Sequence, residues 1–232
     1  MENIQVRQMI DFETCTFTYL LWCSKTKKCL IIDPVLEQFK RDLEIINQLG
    51  LKLEYVLETH VHADHITSAS KFKDETNCSI VYGSQTGVEG PDIFLNDNES
   101  LTLGEHTIKA IHTPGHTSGC TCYYTKNYIF TGDTLFIGGT GRTDFQGGCA
   151  SNTFDNIRKK IFIYPDDTIV YPCHNYNGLT CSTIENEKKN NPNVGLHISK
   201  EEFLDNESKK ERPYPKKFDI AVPANMKCGK VE

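Results

Sequence analysis

Three imidazoles and a carboxylate fall within six consecutive residues, His60-Val61-His62-Ala63-Asp64-His65, directly after the strand-forming run Tyr55-Val56-Leu57. Packing such a cluster into a core without a counter-charge is costly, because each polar ring or ionised acid loses its hydration. A divalent metal removes the difficulty by binding neutral imidazole and ionised carboxylate together. The fold must therefore present these side chains at the mouth of a strand, around a metal, and supply the remaining ligands from elsewhere. Three other segments have the same form. Thr113-Pro114-Gly115-His116 follows a strand ending near Ile111, Thr131-Gly132-Asp133 follows Tyr128-Ile129-Phe130, and Tyr171-Pro172-Cys173-His174 closes a fourth run. Proline and glycine shape tight loops that aim His116 and Asp133. His106, His112 and His197 fall outside these motifs and read as ordinary residues.

Apolar, β-branched and aromatic runs at 17–23, 29–32, 55–57, 79–82, 107–111, 121–124, 128–130 and 168–171 predict strands. Phe39, Leu43, Ile46 and Leu49 recur at helical spacing over 37–49, and Gly50 suits the left-handed position past a helix end. Further helices are expected over about 66–75 and 152–163, and Ser199-Lys200-Glu201-Glu202 matches a capping box opening a short helix at Phe203. Strands in hairpin-like succession with interspersed helices fit an α/β fold of two sheets face to face with helices outside, an αββα sandwich. The 232 residues, 38% hydrophobic, read as one domain, with a short C-terminal extension from about residue 180.

The net charge of -6 is spread along the chain without a basic stripe, so nucleic acid is not an expected partner. No apolar stretch is long enough to span a bilayer, and the N-terminus shows no targeting signal, which gives a cytoplasmic expectation. Ten cysteines occur, some in apolar runs such as Lys28-Cys29-Leu30-Ile31-Ile32 and none as a CxxC pair. They read as reduced packing residues rather than a disulfide scaffold or a zinc knuckle.

The ordered set THVHADH, TPGHT, TGD and YPCHNY resembles the metallo-β-lactamase superfamily, specifically its glyoxalase II and persulfide dioxygenase branches. The resemblance implies the αββα metallo-β-lactamase fold. In glyoxalase II the positions matching His60, His62, His116 and Asp133 hold one metal, and those matching Asp64, His65, His174 and the bridging Asp133 hold a second. Three further segments, Cys15 to Leu20, Gly141-Arg142-Thr143-Asp144-Phe145 onward, and Asp219 to Gly229, are similar to the persulfide dioxygenases (sulfur dioxygenases of hydrogen sulfide metabolism). Only 58 residues follow His174, too few for the larger C-terminal domain of glyoxalase II.

Membership of that branch implies oxidation of glutathione persulfide by O2 and water to sulfite and glutathione at one Fe(II) per chain. The iron ligands would be His60, His116 and Asp133, with His62, Asp64, His65 and His174 shaping the surroundings. Two imidazoles and one carboxylate leave open positions for substrate and O2. The alternative is a glyoxalase II-like hydrolase of S-lactoylglutathione with two Zn or Fe ions, and a non-enzymatic metal or redox module is a third reading. Arg142 is a candidate for holding a glutathione carboxylate, against an internal salt bridge to Asp144. Tyr176 is a candidate to donate its hydroxyl near the substrate sulfur, against a packed aromatic. Cys228 is a candidate to lie close to the pocket, against an inert free thiol. The family also implies a homodimer, and relatives in mitochondria make that compartment the alternative to the cytoplasm. Asn175 stands where the family typically has aspartate, which would remove a charge able to tune a neighbouring imidazole.

Overall fold

The computed structural model describes residues 4–231. Its first half runs β1 (Gln5–Asp11), β2 (Thr16–Trp22), β3 (Lys28–Ile32), α1 (Phe39–Gln48), β4 (Lys52–Leu57), α2 (Ala69–Thr76), β5 (Ser79–Gly83) and β6 (Ile93–Leu95). The second half runs β7 (Ser100–Leu103), β8 (His106–His112), β9 (Thr121–Thr125), β10 (Tyr128–Gly132), α3 (Ala150–Asn156), β11 (Ile169–Pro172) and β12 (Ser182–Thr183). Three short helices close the chain: α4 (Ile184–Asn190), α5 (Lys200–Ser208) and α6 (Phe218–Asn225). Each half forms a six-stranded sheet, ordered β1-β2-β3-β4-β5-β6 and β12-β11-β10-β9-β8-β7.

Strand order departs from a pure hairpin succession. β3, β4, β5 and β6 pair in parallel, as do β10 and β11. Parallel neighbours need a crossover, and α1, α2 and α3 supply it between β3 and β4, β4 and β5, and β10 and β11. The expected helix over 152–163 is α3 continued by one wider turn at Ile157–Ile161.

Three apolar layers follow from alternation along the strands. Leu21, Leu30, Ile32, Leu57, Tyr123 and Phe130 fill the space between the sheets. On the outer face of the first sheet Leu20, Ile31 and Val56 meet Ile46 of α1 and Phe72 of α2, with Val222 of α6 packed alongside. On the outer face of the second sheet Cys122, Ile129 and Val170 meet Phe154, Ile157 and Phe203. This is an αββα sandwich. The Ser199 hydroxyl accepts from the Glu202 amide at 3.1 Å, so Ser199 caps the start of α5.

Among the described residues no helix is long and apolar enough to cross a membrane. All ten cysteines are unpaired, and seven of them are buried.

Candidate metal centre

The loops that leave β4, β8, β10 and β11 converge at one end of the sandwich. Ligand atoms of His60, His116 and Asp133 lie within 4.8 Å of one another, as do those of His62, Asp64 and His65, and those of Asp133, Cys173 and His174. Gly132 carries Asp133 into place with φ of 51°, and a Cβ there would stand 2.6 Å from the Thr59 hydroxyl, so no other residue fits. Gly141 is equally constrained, since its Cβ would meet the Asp133 carbonyl at 2.2 Å.

Hydrogen bonds set the tautomers of the two histidines beside Asp133. The Thr59 hydroxyl donates to Asp33 Oδ2 at 2.8 Å, so at its 3.0 Å contact with His60 it accepts from Nδ1–H. His116 Nδ1 lies 2.7 Å from the Arg142 carbonyl and must donate to it. In both rings Nε2 then keeps its lone pair, as a metal ligand requires. His116 Nε2 is 3.5 Å from Asp133 Oδ2, and Asp133 Oδ1 is buried without a hydrogen-bond partner. Burial, with His62 and His116 adjacent, pushes the His60 imidazole well below its usual value and keeps it neutral. A carboxylate with one unpartnered oxygen, grouped with two imidazoles whose Nε2 atoms keep their lone pairs, suits a divalent cation, so these residues fit a metal.

His62 stands apart from that set. Its Nε2 lies 3.1 Å from Asp33 Oδ1 and 3.2 Å from Glu58 Oε2, both deeply buried. Burial disfavours its cation, but Asp33, with Cys173 and Glu58, outweighs this and raises His62 well above its usual value. His65 Nδ1 contacts Asp64 Oδ2 at 3.1 Å, leaving Nε2 buried without a partner. His174 Nδ1 donates to the Cys15 carbonyl at 3.1 Å, and its Nε2 faces Asp64 and Asp133 at 3.6 and 3.7 Å.

The centre opens on a cavity of about 340 Å³ whose wall includes His60, Asp64, His116, Asp133, Phe136, Thr140, Arg142, His174, Tyr176 and Arg212. Tyr176 is 70% exposed, its ring parallel to that of His174 with centroids 6.1 Å apart. The Arg142 fork is already engaged: Nε and Nη2 bind Asp144 at 2.8 and 2.9 Å, Nη1 binds the Pro213 carbonyl at 2.8 Å, and the group lies 4.4 Å over the Phe145 ring. The internal salt bridge weighed from sequence is therefore present, although Arg142 also lines the cavity. Cys228 does not line it, in keeping with the second of its two readings: it lines a separate cavity with Lys73 and Glu89. Asn175, which stands where the family has aspartate, caps its own loop: its Oδ1 accepts from the amides of Asn177 and Leu179, both at 2.9 Å.

Four contributors escaped the motif reading. Asp33 orients Thr59 and His62, and its only local sign was its place before Pro34 at a strand end. Thr16 donates to Asp64 at 3.1 Å from the start of β2. Asn225 of α6, fully buried, donates to the carbonyls of His62 and His65 at 2.9 and 2.8 Å and accepts from the Thr67 amide at 2.9 Å. Arg212 reaches the cavity wall while bound to Glu207 at 2.8 Å.

Comparison with known proteins agrees with this architecture. Residues 16–174 match the family model of the metallo-beta-lactamase superfamily. Persulfide dioxygenase ETHE1, mitochondrial, of Homo sapiens is 42% identical over 229 residues, covering 97% of this chain and 89% of that protein. The crystal structure of ETHE1 from Myxococcus xanthus superposes with a TM-score of 0.95 at 41% identity, covering 97% of this chain and all (100%) of the other. A probable hydroxyacylglutathione hydrolase of Schizosaccharomyces pombe is 35% identical over 168 residues, covering 69% of this chain and 64% of that protein. The chain belongs to the metallo-β-lactamase superfamily and, within it, to the persulfide dioxygenase family.

Proposed function

We propose that this member of the persulfide dioxygenase family oxidises glutathione persulfide with O2 and water to sulfite and glutathione, at a single Fe(II) held by His60, His116 and Asp133. The observation that carries this reading is the set of two oriented imidazoles and one partly unpartnered carboxylate opening on the 340 Å³ cavity. Fe(II) in such a site supplies the electrons that activate O2 and the positive charge that holds a persulfide anion.

The chain's own residues prepare the site. The Arg142 carbonyl and the Asp33–Thr59 pair fix both imidazoles, so little rearrangement accompanies metal binding. Asp64 and His174 present polar atoms to the cavity beside the ligands. Burial alone would raise the Asp64 carboxyl, but His65 and His174 hold it well below the usual range, so it is an anion that accepts hydrogen bonds. Phe136 and the exposed Tyr176 line the cavity, which supports a role for the Tyr176 hydroxyl as a donor to the substrate sulfur. Arg142 and Arg212 give the rim two cations for the carboxylates of glutathione, each tethered by an acid that keeps the guanidinium in place.

His65 Nε2, buried and unpartnered beside Asp64 and His174, favours a second reading in which another ion sits there and a thioester is hydrolysed. Metal analysis with oxygen uptake separates the two. One iron per chain and persulfide-dependent O2 consumption with sulfite release are expected. Two ions per chain with cleavage of S-lactoylglutathione and no O2 uptake would overturn the proposal. The homodimer implied by the family is read from light scattering, a monomer mass sinking it. The human relative's designation as mitochondrial favours that compartment over the cytoplasm, and cell fractionation decides between them.

A further inference from the structure

Glu187 of α4 lies outside the metal centre and is fully buried. Its carboxylate accepts four hydrogen bonds. Oε1 takes the Ser182 hydroxyl at 2.5 Å and Asn186 Nδ2 at 3.2 Å, while Oε2 takes Asn191 Nδ2 at 2.7 Å and the Gly138 amide at 3.0 Å. None of the four is a cation, so these neutral dipoles alone offset the cost of burying the acid. Three partners lie within the C-terminal extension, and the fourth belongs to the loop that follows the ligand Asp133.

That loop forms one wall of the cavity. Phe136 and Gly139 close it as a bridge, and Gly138 takes φ of 68°. Pro192 and Asn193, just beyond α4, lie under its glycines, 4.0 and 3.7 Å from where a Cβ would stand on Gly138 and Gly139. The Phe136 ring meets the His174 ring edge-on at 6.1 Å, and Thr140 Oγ1 is buried at the wall without a partner.

We infer that Glu187 is a positioning residue for substrate binding: by holding the Gly138 amide it fixes the Phe136–Gly141 wall, which presents the Phe136 ring and the Thr140 hydroxyl to the substrate and packs His174. This rests on the proposed reaction for its kinetic readout only. The Glu187 side chain touches no metal-ligand candidate, so loss of the anchor is expected to alter substrate fit before it alters metal content.

The test compares Glu187→Ala and Glu187→Gln in the iron-loaded enzyme, with KM and kcat for glutathione persulfide measured separately. In Glu187→Ala, KM is expected to rise about threefold or more while kcat stays within about twofold, the pattern of lost binding contacts. Glu187→Gln restores KM, because the amide oxygen can keep Gly138 and Asn191, the contacts that reach the wall, while its NH2 donates to a reoriented Ser182 hydroxyl and only the 3.2 Å bond from Asn186 is given up. A second measurement is independent of turnover. In zinc-loaded, diamagnetic protein the His174 ring-proton resonances should move in Glu187→Ala, as the Phe136 ring shifts, and return in Glu187→Gln. If Glu187→Ala does not fold, Glu187→Asp, one methylene too short to span Ser182 and Gly138, is read in its place. A folded Ala or Asp variant with parental KM and unmoved His174 signals overturns the inference. An unmutated protein with no persulfide turnover refutes the proposed reaction, and the His174 signals then decide the positioning role alone.

Discussion

Asp33→Asn removes one charge and replaces one acceptor oxygen by an NH2 donor, and the surrounding hydrogen bonds propagate that change to the metal centre. The carboxylate takes the Thr59 amide and His62 Nε2 on Oδ1, and the Thr59 hydroxyl on Oδ2. An asparagine must keep its oxygen toward the Thr59 amide, because its NH2 there would face another donor. The NH2 then meets the Thr59 hydroxyl, which has to accept from it and turn its own proton toward His60. His60 Nδ1, 3.0 Å away, must become the acceptor, so the ring proton moves to Nε2, the atom a metal needs unprotonated. Loss of a partner of this kind costs about ten- to hundredfold in metal affinity, or ~1.4–2.7 kcal/mol. Backbone strain should not confuse the result, since Asp33 has φ of 50° and asparagine tolerates that region. Affinity is read by chelator competition with Fe(II) or Co(II), alongside thermal melts of the metal-free proteins. A folded Asp33→Asn protein with affinity within about twofold of the parent would refute the tautomer argument.

Asn175→Asp is expected to change sulfite production by less than about twofold, because either side chain offers an oxygen to the Asn177 and Leu179 amides, whereas Asn175→Ala should lose about 1–3 kcal/mol of stability. A large gain in rate with Asp would show that the missing charge matters. Burial pushes the Asp42 carboxyl up to about 6, against the pull of Arg41. The folded state thus favours the protonated acid, and stability present below the usual carboxylate value is lost as pH rises through about 6, on the order of 3 kcal/mol in all. Asp42→Asn should flatten the urea-stability profile relative to the parent between about pH 4 and 6, and parallel profiles would contradict this. Cys181 is exposed, whereas burial pushes Cys120 up to about 11 and Cys29 and Cys122 up to about 12. Maleimide at neutral pH should label Cys181 first and spare those three until the chain unfolds, as peptide mass mapping would show.

The long strands and α1 were legible because burial on one or both faces wrote itself into local pattern. The residues Phe39, Ile46 and Gly50 mark a helix and its end wherever the rest of the chain lies. β1 was missed because Gln5, Arg7 and Asp11 interrupt its apolar residues at the sheet margin. β6, β7 and β12 are short elements at or next to sheet edges, where half the burial signal is absent. α6 was hidden by Pro223, a residue that argues against a helix interior. At the site, ligand types could be read because metal chemistry restricts them to a few side chains. Asp33, Thr16, Asn225 and Glu187 could not, since each works through contacts with residues distant in sequence, and an isolated Asp, Thr or Asn carries no local mark of that.

The C-terminal segment shows why these supports matter more than its length suggests. Asn225 binds both carbonyls that flank Ala63 and Asp64 and also the Thr67 amide, so α6 ties the histidine-rich loop on its outer side. Pro213 is held by Arg142, and Tyr214 meets Phe145 edge-on and Phe218 at a tilt, at centroid distances of 5.5 and 5.3 Å, carrying the chain across the rim from α5 to α6. Glu187 accepts from the Gly138 amide in the Phe136–Gly141 wall. The β4, β8, β10 and β11 loops therefore supply the candidate ligands, while residues after 180 fix two of those loops and complete the cavity with Arg212 and Pro215. A chain truncated near 180 would keep every ligand type, yet lose the Asn225 and Glu187 anchors and expose the outer face of the first core where Val222 packs. Retention of ligands is then a poor guide to retention of the site, because the histidine-rich loop and the Phe136–Gly141 wall lean on anchors that lie after residue 180.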